Sequence, residues 1–170
     1  MTKYRGRTAL VVDGTSGIGL AVAKRLAEGG AKILLTGRTP AHLAHASAEL
    51  GICAQVFTLA DTDLAAAVEA RLGRIDYLFL AAGRATVLAL RPVLKDGGAV
   101  VFTTAGPHSR RQALRALAAE LGDRGIRVNA VAPDCAYAAG TDAAARAALF
   151  LAADAPYTTC AQLPVETTQF

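Results

Sequence analysis

Short apolar runs alternate with stretches of helical periodicity from one end of the 170-residue sequence to the other. That rhythm constrains the fold more than any other feature. Thr8–Val12, Lys32–Thr36, Cys53–Leu59, Tyr77–Ala81, Ala99–Thr103, Arg127–Val131 and Ala161–Val165 read as strands. They are continuously apolar rather than alternating, which is the pattern of strands covered on both faces. Between them, Ile18–Glu28, a segment from Pro40 to Leu50, Asp63–Leu72, residues 85–95 with an interruption at Pro92, Ser109–Leu121 and Asp142–Ala152 read as helices. Ile18, Val22 and Leu26 fall on one face and Gly29-Gly30 supplies a stop. Thr39-Pro40 supplies an N-cap with proline at the first helical position. Leu114, Leu117, Ala118 and Leu121 share a face of the fifth helix. With right-handed crossovers, the alternation predicts an α/β, doubly wound parallel sheet of about seven strands, formed by residues 1–170 as one domain.

Composition narrows the function. Hydrophobic residues make up 53% and charged residues 19%, enough apolar surface to form a core and exclude disorder. Aromatic residues are 5% with no Trp, which argues against a stacking platform for single strands. The net charge of +4 is spread along the chain, and no dense basic run predicts a nucleic-acid or membrane-surface partner. Cys53, Cys135 and Cys160 form no Cys-x-x-Cys pair, so neither a disulfide framework nor a zinc site is predicted. No apolar segment after Met1–Arg7 has the length of a signal peptide, and none reaches the ~18 residues of a membrane span. A cytoplasmic setting is the expectation.

Val11-Val12-Asp13-Gly14-Thr15-Ser16-Gly17-Ile18-Gly19 joins the first strand to the first helix. Glycines in such a turn let the backbone approach a pyrophosphate, and the helix N-terminus favours anions. On these residues the chain resembles the short-chain dehydrogenase/reductase family, and the resemblance runs end to end. Gly14-Thr15-Ser16-Gly17-Ile18-Gly19 resembles the family's Thr-Gly-x-x-x-Gly-x-Gly turn. Ala81-Ala82-Gly83 resembles the end of its Asn-Asn-Ala-Gly strand. Arg124-Gly125-Ile126-Arg127-Val128-Asn129-Ala130-Val131-Ala132-Pro133 matches its sixth-strand signature. Phe150-Leu151-Ala152, Tyr157-Thr158 and Gln162-Leu163-Pro164-Val165 match its C-terminal segment. The resemblance implies a Rossmann-type fold with Gly14–Gly19, Arg38, Ala82 and Gly83 against a dinucleotide. Arg38 follows the second strand, where an acid reads ribose hydroxyls and an Arg reads a 2′-phosphate. This points to an NADP-type cofactor. The alternatives are a solvated Arg38 and no cofactor at all.

The departures are concentrated at the carboxyl ends of the strands. The family's catalytic Tyr is followed four positions later by a Lys, and no Tyr-x-x-x-Lys occurs here. Pro107-His108-Ser109-Arg110-Arg111 stands at the helix start. The family's catalytic Ser corresponds to Thr103 or Thr104, and its catalytic Asn has no counterpart between Gly83 and Gly97. The substrate-covering region is reduced to Asp134 through Thr141. Val12 and Asp13 replace the Thr and first Gly of the turn, and Ala60 or Asp61 stands at the adenine-contacting Asp. Asp13 places a carboxylate where a dinucleotide brings negative charge.

Candidate replacements for the missing groups are Asp13, Arg84, Thr104, His108, Asp134 and Tyr137. With the family's strand order, Asp13 and Arg84 end neighbouring strands ~5 Å apart, which predicts an ion pair between them. Asp134 follows strand six, ~14 Å from Asp13, too far for a shared-proton dyad. His108, with an ordinary pKa of ~6.5, is a candidate acid or base; the simpler reading makes it a loop residue beside a Ser109 cap. Tyr137 is a candidate phenol or an exposed loop residue. His42 and His45 share a helix face without a third ligand, and Tyr157 reads as packing.

Three functions follow. The first is a repurposed small-molecule enzyme with isomerase, dehydratase or cyclase-like acid/base chemistry. The second is an NADPH-dependent carbonyl reductase with an unusual proton donor. The third is a catalytically silent protein that binds a ligand or a partner. A small-molecule ligand is expected, with no nucleic acid and no membrane. The resemblance also implies a homo-oligomer through the fourth and fifth helices, the fourth being short here.

Overall fold

Alternate residues of each central strand divide between two apolar layers. Val11, Ile33, Leu35, Phe79 and Val101 face one layer, and Leu10, Leu34, Leu78, Leu80 and Val100 face the other. A strand buried on both sides is apolar at most positions, which accounts for the long apolar runs in the sequence. A computed structural model describes residues 2–51, 54–58, 63–81, 83–103, 109–133 and 138–166.

The chain order is β1 (Thr8–Val12), α1 (Gly17–Glu28), β2 (Lys32–Gly37), α2 (Pro40–Leu50), β3 (Ala54–Thr58), α3 (Leu64–Leu72), β4 (Ile75–Leu80), α4 (Arg84–Ala89), β5 (Leu94–Phe102), α5 (Ser109–Leu121), β6 (Arg127–Pro133), α6 (Ala138–Leu149) and β7 (Gln162–Val165). The strands form one seven-stranded sheet in the order β3-β2-β1-β4-β5-β6-β7. Every pairing is parallel, with Leu10 beside both Leu34 and Leu78. The direction of winding reverses between β1 and β4, which makes their carboxyl ends the switch point where such sheets take ligands. Helices α1, α2 and α6 contribute Val22, Leu26, Ala46, Ala145 and Ala148 to one layer. Helices α3 and α5 contribute Val68, Leu114, Leu117 and Leu121 to the other.

Local signals set the helix ends. The Thr39 hydroxyl accepts from the His42 N–H at 3.3 Å, with Pro40 next in line. The Asp63 carboxylate accepts from the Ala65 and Ala66 N–H groups at 3.0 and 3.3 Å. Each satisfies donors that the first helical turn leaves open.

Several boundaries move. β4 begins at Ile75 and β5 at Leu94, because Leu94 pairs with Ile75 across a register irregularity. The interrupted helix over 85–95 is therefore α4 followed by a 3₁₀ turn, Arg91–Val93, that contains Pro92. β6 runs on to Pro133. α6 begins at Ala138 rather than Asp142 and gives way to a π-helical stretch, Phe150–Asp154. Alanines favour helix without marking a face, and Asp142 turns instead to Arg25 of α1, which donates to it at 2.9 Å. Tyr157 is 99% exposed, not packed. It sits in a turn closed by the Thr158 N–H to the Ala155 carbonyl at 3.1 Å.

At the amino-end edge of the sheet, Asp76 ties three strands together. Its carboxylate accepts from the Thr8 N–H at 2.9 Å, from Lys95 at 2.8 Å and from Arg7 at 3.0 Å. Burial raises its pKa, but the donors from Lys95, Thr8 and Arg7 outweigh that and hold it below the ordinary carboxylate value. No helix among the described residues is long and apolar enough to cross a membrane.

Candidate functional site

The turn between β1 and α1 is built from close backbone contacts. A Cβ on Gly14 would stand 2.4 Å from the Val11 Cγ1, and one on Gly19 would stand 2.7 Å from the Gly14 Cα. Only glycine fits at either position. The turn is also pinned to the neighbouring strand. The Asp13 N–H donates to the Thr36 hydroxyl at 2.9 Å, and the Gly14 N–H to the Thr36 carbonyl at 3.0 Å. Thr15 is buried, and a Cβ on Gly37 would stand 2.5 Å from its methyl group.

Gly17 behaves differently. It has φ +55°, and a Cβ there would meet nothing within 4 Å. Ser16 occupies the N-cap of α1 without a side-chain hydrogen bond, and the first turn holds no acid. The helix thus presents open donors at a glycine that faces empty space, an arrangement suited to an anionic group. Ile18 packs against the α1-side core and fixes the helix on the sheet.

Asp13 is a non-glycine residue in the left-handed region, with φ +55°. Its carboxylate takes Arg38 in a two-point pair, with the Arg38 Nη2 at 2.9 Å from Oδ2 and Nε at 3.3 Å from Oδ1. Parallel pairing of β1 with β2 brings the two residues together, because both lie just beyond the carboxyl ends of their strands. Arg38 remains 81% exposed on its outer side.

This corrects the expected Asp13–Arg84 pair. Arg84 is the first residue of α4, and its guanidinium is bonded to Glu120 near the end of α5. Strand spacing placed Arg84 next to β1, but the side chain follows its helix away from the sheet edge. Gly83 stands at the rim with φ +115°, and Thr103 is buried with its N–H donating to the Leu80 carbonyl at 2.8 Å. Ala82, Thr104, His108, Asp134 and Tyr137 lie outside the described residues, as do Cys53, Cys135, Ala60 and Asp61. The Asp134 position follows Pro133, the last residue of β6, which is three strands from β1. His42 and His45 are both exposed on α2, and no group of three metal-ligating side chains occurs among the described residues.

Thr36 was not singled out from the sequence. Its signal is a hydroxyl closing an apolar run, one register step beyond the Val11–Leu35 pair. Glu120 was also missed, and its position in the last turn of an amphipathic helix carries no distinguishing mark.

Cavities of about 360 and about 200 Å³ lie at the opposite edge. The first is bounded by Tyr4, Arg25 and Phe150. The second is bounded by Arg7, Asp76, Tyr77 and Arg127. Burial pushes the Tyr77 phenol up and the Arg127 guanidinium down. Arg127 donates to the Leu151, Ala152 and Ala155 carbonyls, which closes the π-helical stretch. Arg7, Asp76 and Arg127 are engaged within the fold and stand apart from the glycine turn.

Comparison with known proteins agrees with this geometry. The short chain dehydrogenase family model matches residues 7–96, from the start of β1 into β5. Oxidoreductase asL5 of Sarocladium schorii is 35% identical over 108 residues, covering 60% of this chain and 43% of its own length. The chain spans less than half the length of the curated relatives it matches. A short-chain type dehydrogenase/reductase from Mycobacterium ulcerans superposes with a TM-score of 0.80 at 22% identity, over 95% of this chain and 89% of that one. A short-chain dehydrogenase/reductase from Serratia marcescens gives 0.73 at 20% identity, over 96% and 97%. The structural likenesses establish the fold. The sequence match, which takes in the glycine turn and both strands of the switch point, establishes that the chain belongs to the short-chain dehydrogenase family.

Proposed function

We propose that the chain is an oxidoreductase of the short-chain dehydrogenase type that binds a nicotinamide dinucleotide and acts on a small molecule without a Tyr-x-x-x-Lys pair. The observation that carries this is the Gly17 cradle, a glycine facing open space at an uncapped helix start with no acid in its first turn. Gly14–Gly19 would hold the diphosphate, with backbone N–H groups beyond Gly14 as the donors, since that of Gly14 is bonded to Thr36. Asp13 and Arg38 would face the adenosine ribose, and Ala82 and Gly83 would flank the switch point. When bound, the dinucleotide supplies or accepts a hydride at its nicotinamide ring. A proton must then be given to or taken from the substrate by another group of the chain, and Thr104, His108, Asp134 and Tyr137 are the candidates.

The missing Tyr-x-x-x-Lys supports a second reading. In it, the same carboxyl-end residues perform isomerase, dehydratase or cyclase-like acid/base chemistry on a small molecule without redox change. In either reading Asp13 is engaged by Arg38 on both oxygens.

Titration with NADH, NADPH and ADP-ribose, followed by calorimetry, tests the first reading. Saturable binding of any one of them, weakened by Gly17→Val, is the expected result. No binding of any of the three at millimolar concentration would overturn it. A homo-oligomer in a cytoplasmic setting is proposed with this function, and sedimentation of the purified chain reads the first of these directly.

A further inference from the structure

The Asp13–Arg38 pair has no evident structural purpose. Its cation is 81% exposed, and exposed ion pairs contribute little to stability. The acid also sits at φ +55°, where glycine would be unstrained and a side chain is not. Yet the arrangement is held closely. The Asp13 N–H is fixed by the buried Thr36 hydroxyl at 2.9 Å, and the carboxylate meets the guanidinium fork on both oxygens. An arginine at this strand end is the group that would pair with a phosphate on the adenosine ribose, and here its fork is already engaged by a carboxylate from the same chain.

Resting on the dinucleotide reading above, we propose that Asp13 determines cofactor selectivity. It occupies Arg38 in cis, which disfavours a dinucleotide carrying a 2′-phosphate. It favours one with free ribose hydroxyls, which the same carboxylate can accept. A 2′-phosphate that displaced the pair would leave the Asp13 carboxylate within a few ångströms of a group carrying more than one negative charge. At a surface site that repulsion weakens binding by about tenfold or more. The expectation drawn from Arg38 alone, an NADP-type cofactor, thereby reverses. Arg38 acts as the partner that orients the acid.

The test is the ratio of NADH to NADPH affinity, measured by cofactor fluorescence in the unmodified chain and in Asp13→Asn, Asp13→Gly and Asp13→Asn/Arg38→Ala. Asn tolerates the left-handed backbone and Gly relieves it, so the two single variants bracket any effect on folding, which thermal unfolding reads separately. The unmodified chain should prefer NADH, and both single variants should shift the ratio toward NADPH by about tenfold. Adding Arg38→Ala should cancel that shift. A preference for NADPH in the unmodified chain, or a ratio that moves less than about threefold in both single variants, would overturn the inference while leaving dinucleotide binding standing. If the unmodified chain binds neither cofactor, this inference falls together with the dinucleotide reading.

Discussion

Gly19 lies so close to Gly14 that a Cβ on it would stand 2.7 Å from the Gly14 Cα, whereas a Cβ on Gly17, two residues earlier, would meet nothing within 4 Å. The two glycines therefore serve different ends, one internal packing and one an open face. Gly19→Ala should destabilise the fold by about 1–3 kcal/mol through overpacking against backbone. Gly17→Val should cost about 1–2 kcal/mol for its left-handed φ and should weaken NADH binding by about tenfold or more, because the side chain fills the cradle. Urea unfolding and cofactor titration of both variants separate the two roles. Equal binding losses at equal stability would show that the face at Gly17 is not special.

Arg84 is committed to Glu120, which joins the start of α4 to the last turn of α5 and leaves Arg84 away from the glycine turn. Half-exposed pairs of this kind contribute about 0–1 kcal/mol. Arg84→Ala should leave NADH affinity within about twofold and lower stability by less than about 1 kcal/mol. A large loss of binding in this variant would return Arg84 to the site.

The order of strands and helices was legible because each element carries a strong local mark. Within Thr8–Val12, residues 9–12 are apolar throughout and lead into the glycine turn, and Thr39-Pro40 opens α2 where the capping chemistry places it. The pairing of Arg84 was not legible. Strand spacing locates a Cα, but a long side chain on a helix start goes where the helix axis points it, and nothing in the sequence states that axis. The same limit applies to Arg38. Its position after β2 suggested an anion partner, and only the register of β1 against β2 shows that the anion is Asp13. α6 begins earlier than the sequence suggests because Ala138 opens an alanine-rich helix with little face, while Asp142 serves as the partner of Arg25.

Asp76 should make the fold acid-sensitive. Its pKa in the folded state lies below the ordinary value, since Lys95, Thr8 and Arg7 outweigh the opposing effect of burial. The stabilisation is therefore fully present above the unfolded-state pKa of ~3.9 and is lost as pH falls through the folded value. Asp76→Asn should destabilise by about 1–3 kcal/mol at neutral pH, because a buried acceptor for two cations and a backbone N–H is weakened. Urea unfolding at neutral pH and at about pH 3 should show the gap between the two proteins narrowing in acid. A gap independent of pH would mean that the charge on Asp76 contributes nothing.

Arg127 carries the C-terminal part of the fold by a different route. Its guanidinium donates to the carbonyls of Leu151 and Ala155 at 2.6 and 2.9 Å and to that of Ala152 at 2.6 Å. Those carbonyls end a π-helical stretch in which Leu151 and Ala152 are buried. Helix ends leave carbonyls without intrahelical donors, and a planar fork can meet several at once where an ammonium meets them one direction at a time. Arg127→Met keeps much of the side-chain bulk and removes every donor, so it should destabilise by about 2–4 kcal/mol. Arg127→Lys restores a charge but not the fork, and should recover less than about half of that loss. Urea unfolding of the three proteins provides the comparison. Full recovery by Lys would show that positive charge at the helix end, rather than the three-carbonyl geometry, is what the segment requires.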